Sequence, residues 1–184
     1  MLIYSFGLRE IALFLGALYL VAHLLPLIKP FYFQDLLQKL PRSILVGYIT
    51  TTIATLWGAS LINTMDLSEY NKFRTIFTLL TFIGGTLCCF YVRDFLSLRA
   101  IGVLLLLGAN VILDGAFLID NRFKIPLVCN AYAWIILGMI LVSSPYLIRN
   151  AIQWGTAELR RWQLLMSLGV IWGFIVLGLG IFAL

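Results

Sequence analysis

Charge is scarce in this chain. Asp, Glu, Lys and Arg supply 11% of its 184 residues, against about 25% in a soluble domain. That leaves too little polar surface to cover a water-soluble globule. Histidine is nearly absent, with His23 alone. One histidine excludes a bis-histidine haem held within the chain. With no nucleophile elbow, it also excludes a recognisable Ser/His/Asp arrangement. Cysteine is sparse too. Cys88, Cys89 and Cys129 all lie in apolar stretches, and an odd count without ligand spacing argues against a disulfide framework or a zinc site. They read as small apolar core residues.

Other absences narrow the function. No Gly-rich phosphate loop and no carboxylate cluster occurs, so neither a catalytic residue, a metal nor a cofactor is assigned, and catalysis is not expected. The formal net charge is +5, but no basic run accompanies it. Nucleic acid is therefore not an expected partner, and the basic residues are expected to set membrane orientation.

What the chain has is apolar length. Hydrophobic residues make up 62%, and the mean hydropathy is +1.02. Six apolar stretches follow one another, with nearly every charge in the joints. The expected fold is an all-α polytopic membrane protein, a bundle of six transmembrane helices with short interfacial amphipathic connections, forming a single domain over residues 1–184. The spans are expected at residues 8–28, 43–62, 75–92, 100–119, 127–148 and 162–184. The first is expected to be a true span, because it ends in His23-Leu-Leu-Pro26 without a small-residue cleavage pattern.

Two joints have helical polar spacing and read as helices lying in the interface, residues 31–40 and 149–161. Asp66-Leu-Ser-Glu69 reads as a capped helix start before the third span. Pro26-Leu-Ile-Lys29 and Pro145-Tyr-Leu-Ile-Arg149 close spans one and five similarly. This fits either hairpin repeats of parallel topology or convergent anchoring at a basic interface.

Lys29, Lys39, Arg42, Arg93, Arg99, Arg149, Arg160 and Arg161 fall on one side of the expected topology, and Arg9, Lys72, Arg74, Arg122 and Lys124 on the other. The positive-inside rule puts the richer side in the cytoplasm and both termini on the non-cytoplasmic side.

Helix contacts in lipid rely on small residues and polar groups. Gly169 and Gly173, Ala12 and Gly16, and Ala54 and Gly58 form small-xxx-small pairs and are the expected packing seams. Tyr and Trp residues cluster near span ends as an interfacial belt, whereas Trp57, Trp134 and Trp172 lie within spans.

Four residues are candidates for a polar path or relay. Asp114 stands inside a span, where a carboxylate costs about 2.5–3.5 kcal/mol at mid-bilayer. Asn110 precedes it by one turn on the same face. Glu10 and His23 complete the set, Glu10 also reading as an ion-pair partner of Arg9. The alternative for Asp114 is an interhelical hydrogen-bond anchor. The Thr50-Thr51-Thr52 cluster reads as pore lining or as hydroxyls bonded back to their own helix.

Two functions follow as expectations. The first is a non-catalytic integral membrane subunit or scaffold of a larger complex, whose partners are the lipid bilayer and other membrane subunits or a second copy. The alternative is a small transporter or channel with its polar path around Asp114.

Overall fold

The computed structural model describes residues 7–92, 94–117 and 119–183. Every regular element in these residues is helical. The helices are α1 (Leu8–Ile28), α2 (Pro30–Lys39), α3 (Ile44–Thr64), α4 (Arg74–Tyr91), α5 (Leu96–Phe117), α6 (Ile125–Ser143), α7 (Pro145–Thr156) and α8 (Leu159–Phe182). Six of them, α1, α3, α4, α5, α6 and α8, are long and apolar enough to cross a membrane.

The boundaries depart from the sequence expectation where a charge was read as an end. α5 begins at Leu96 rather than near residue 100, because Leu96, Ser97 and Leu98 are buried and carry Arg99 inside the first turn. α8 begins at Leu159 and so includes Arg160 and Arg161. α6 ends at Ser143, not near residue 148. Ser144 leaves helical geometry (φ −136°, ψ 62°), and Pro145 starts a new helix. Proline suits that first position, where its missing N–H is not needed. The second amphipathic joint is therefore α7, four residues earlier than expected. Three residues within the expected topology, Arg93, Leu118 and Leu184, lie outside the described residues.

Two antiparallel pairs form the body of the bundle. α1 lies along α8, and a β-carbon at Gly16 would stand 2.6 Å from Leu177 Cβ and 2.7 Å from its backbone. α5 lies along α6 in the same way. A β-carbon at Gly102 would stand 2.8 Å from the Gly138 carbonyl oxygen, and one at Gly138 would stand 2.8 Å from that of Gly102. The absent side chains are what allow the backbones to meet. Leu8, Ile11, Ala12 and Leu15 of α1, Ala109, Ile112 and Ala116 of α5, Leu127 and Ala131 of α6, and Val176 of α8 join the two pairs in one core. α3 packs on α5 through Gly47 against Leu96. α4 packs chiefly on α3 and buries none of its residues.

The joints at one end of the bundle hold each other. Gln38 Nε2 of α2 donates to Thr156 Oγ1 of α7 (2.8 Å), and Ser97 Oγ donates to the Leu40 carbonyl (2.7 Å). Arg149 lies 5.8 Å from the centre of the Phe95 ring. Phe95 has a left-handed φ of 57°, a conformation that costs a side chain roughly 1–2 kcal/mol.

At the opposite end, basic and amide side chains satisfy carbonyls that a helix end leaves without partners. Arg74 donates to the carbonyls of Asn63 and Met65 at the end of α3. Lys124 Nζ donates to Ile119 O (2.5 Å), just beyond α5. Arg9 Nε and Asn121 Nδ2 donate to Gly180 O (3.3 Å) and Ala183 O (3.0 Å) at the end of α8. Asp66 Oδ1 accepts from the Ser68 N–H (2.9 Å) and from Asn71 Nδ2 (3.2 Å). The expected cap is thus present as an acceptor. The side chain that answers it is Asn71 rather than Glu69, and it introduces a 3₁₀ stretch, Ser68–Phe73, ahead of α4.

Candidate functional site

A polar network crosses the bundle where α1, α6 and α8 meet. Trp134 Nε1 donates to Tyr19 Oη (2.8 Å), and Tyr19 Oη donates to Asn130 Oδ1 (2.8 Å). Trp172 Nε1 donates to the same Asn130 oxygen (3.1 Å). Asn130 is 6% exposed, and its Nδ2 has no hydrogen-bond partner. His23 continues the line along α1. Its ring stacks on Tyr19 at 5.7 Å, and its Nδ1 lies 2.8 Å from the Tyr19 carbonyl. A carbonyl oxygen only accepts, so Nδ1 carries the proton. The far side of the ring lies over Gly169.

Beside this network a cavity of about 720 Å³ lies between α1, α3, α5 and α6. Glu10, Phe14 and Leu18 line it from α1, Trp57 from α3, Leu105 from α5 and Trp134 from α6. The volume is that of a small-molecule pocket. The Trp134 N–H is taken by Tyr19, so the indole turns its only polar atom away from the bonding needs of the cavity. Among the described residues Glu10 is the one charged residue in the lining. Arg9, its sequence neighbour, donates instead to Gly180, and the two form no ion pair.

Two of the four path candidates fall on different features of the bundle. Glu10 lines the cavity, and His23 sits in the α1–α8 seam. Asn110 and Asp114 are half-buried on α5 and do not line the cavity. Asp114 has an interaction partner within the chain.

Of the expected seam residues, Ala12 is fully buried and Gly16 meets Leu177. A β-carbon at Gly173 would stand 3.1 Å from Leu20, and one at Gly169 would run into the His23 ring. Ala54 is buried on α3, and a β-carbon at Gly58 would stand 3.7 Å from Thr81 Cγ2. Most threonines of α3 bond back along their own helix, whereas the buried Thr51 Oγ1 has no hydrogen-bond partner among the described residues. Thr50 donates to Val46 O (2.7 Å), Thr52 to Tyr48 O (2.8 Å) and Thr55 to Thr51 O (2.8 Å).

Sequence reasoning missed Tyr19, Asn130, Gly102 and Gly138. Tyr19 stands near the middle of α1, away from the belt where tyrosine is ordinary. Asn130 is an amide within an apolar helix. Those two signals were available. The pairing of partners 111 positions apart was not.

Among the described residues no group of His, Cys, Asp and Glu could hold a metal ion. No family model, no curated protein and no solved structure matches the chain.

Proposed function

We propose that the chain is a multi-pass membrane protein and a non-catalytic subunit of a larger membrane assembly, docked through α4. The observation that carries this is α4 itself, a membrane-length helix with no buried residue. Exposed Leu, Ile and Phe are no argument in lipid, which is as apolar as they are. Gly84 is an argument. A glycine in a helix costs about 1 kcal/mol relative to alanine, and a membrane helix recovers this where a neighbour approaches closely. Gly16, Gly102, Gly138, Gly169 and Gly173 all have such neighbours, but Gly84, like Gly178 on α8, has nothing within 4 Å. Of these two, Gly84 alone lies on a helix with no buried residue. It belongs to an outer stripe with Ile76, Leu80, Leu87 and Tyr91, opposite the face on which Gly85 meets Thr55 of α3. A helix from another subunit would fill that stripe.

In this reading the end carrying α2 and α7 faces the cytoplasm. Arg9, Arg74 and Lys124 at the other end have a local reason to be there, as partners of helix-end carbonyls. The transporter alternative has less support, because of the four path candidates only Glu10 lines the cavity, while His23 is packed in the α1–α8 seam.

Photo-crosslinking residues placed one by one along α4 in native membranes test the reading. Adducts to one defined protein should recur at positions 76, 80, 84 and 87, one helical stripe. Labelling of lipid alone, equal at every position, would overturn it.

A further inference from the structure

We propose that the cavity between α1 and α5 binds one membrane lipid with an ammonium head group, whose acyl chain lies in the cavity and whose head meets Glu10. The proposal rests on the membrane-spanning reading above but not on docking through α4.

Three observations point to this occupant. The first is length. Glu10 to Leu18 along α1 covers about 12 Å, and Ile101 to Ile112 along α5 about 16 Å, at 1.5 Å per residue. One leaflet of the hydrocarbon core is about 15 Å deep. Along α1 the cavity therefore runs from the first turn to mid-helix, the depth of one leaflet. Its α5 wall, centred on that helix, leaves room for the chain end to pass the mid-plane. The second is access. Phe14 (69% exposed) and Leu18 (45% exposed) form its rim on α1, so it opens sideways from the bundle. The wall behind them is apolar, and an apolar cavity of this kind stays dry and takes apolar guests. The third is charge. Glu10 stands in the first turn of α1, at the end of that membrane-length helix, and lines the cavity. Arg9 donates to Gly180 O on the far side of α1 and leaves the Glu10 carboxylate without that counter-charge. An anionic head group would meet this carboxylate unfavourably, whereas an ammonium group complements it.

The test uses the whole purified chain in nanodiscs, which also establishes membrane insertion independently of lipid choice. Native mass spectrometry compares retention of phosphatidylethanolamine and phosphatidylglycerol of identical chains. The wild type should retain a single lipid and prefer the ethanolamine head by about three- to fivefold, the range of a partly exposed ion pair. Glu10→Gln should abolish the preference while keeping a bound chain. Leu18→Trp, which fills the rim from an exposed position, should release both lipids. Equal retention of the two lipids by the wild type would overturn the proposal. So would a head-group preference that survives Glu10→Gln, or retention unaffected by Leu18→Trp in protein of unchanged thermal stability.

Discussion

The imidazole of His23 lies against Gly169 of α8, in the place where a β-carbon would stand. Its Nδ1–H is bonded to the Tyr19 carbonyl, and its ring is stacked on Tyr19. The ring therefore has no easy way to move aside. Gly169→Ala is expected to destabilise the fold by about 1–3 kcal/mol, the usual cost of forcing atoms into a packed contact. His23→Ala in the same chain should restore most of the loss. A double-mutant cycle on unfolding in mixed micelles measures both; additive losses would show that the two residues are not in contact.

The polar network makes a separate prediction. Tyr19→Phe removes the donor to Asn130 and the acceptor for Trp134. Interhelical hydrogen bonds in membranes average about 0.6 kcal/mol with a maximum near 1.7. Loss of these two should cost about 1–2 kcal/mol, and the Trp134 emission should shift. Asn130→Leu should cost at least as much, because it leaves both the Tyr19 hydroxyl and the Trp172 N–H without their acceptor.

Glycines that look alike in the sequence should behave differently. Gly102→Ala and Gly138→Ala each place a methyl group 2.8 Å from a backbone oxygen, which cannot swing away as a side chain does. Both should weaken the α5–α6 pair by about 1–3 kcal/mol. Gly178→Ala has nothing within 4 Å to meet. It should be neutral, or stabilising by up to about 1 kcal/mol through helix propensity. Thermal unfolding of the three variants side by side decides this.

Asp66 caps the α3–α4 connection, and its carboxyl is held below the usual carboxylate range, chiefly by the Ser68 backbone N–H and then by Asn71. A depressed folded-state value means that the cap contributes above the ordinary carboxylate pKa and is lost as pH falls through the lower, folded one. The Ser68 amide should therefore keep its hydrogen-exchange protection down to pH values at which a free aspartate is protonated, then lose it. Asp66→Ala should remove the protection at every pH.

Much of the architecture is legible because hydropathy reports length and composition directly. Six apolar stretches became six membrane-length helices, and the two amphipathic joints became α2 and α7. The errors came from treating polar residues as punctuation. Arg99 and Arg160 are inside helices, since a long aliphatic stem lets a basic residue ride in a first turn. The proline similarity was also displaced. Pro26 lies within α1, and the residue that corresponds to Pro145 at the start of α7 is Pro30 at the start of α2. For the candidate site, the sequence drew attention to Asp114 because an intramembrane carboxylate is costly. The network that joins the helices uses neutral groups, Tyr19, Asn130 and two indoles, whose meeting depends on tertiary packing and leaves no local pattern.

The role of α4 as the docking helix is tested most directly by the mass of the particle that contains this chain. The protein should be taken from its native membrane in lipid nanodiscs without dissociation. The wild type should weigh more than one 20.8 kDa chain by a fixed amount corresponding to additional subunits. Gly84→Leu should reduce it to the single chain while leaving the thermal stability of that chain unchanged. A wild-type particle with the mass of one chain, or a Gly84→Leu particle as heavy as the wild type, would contradict the account.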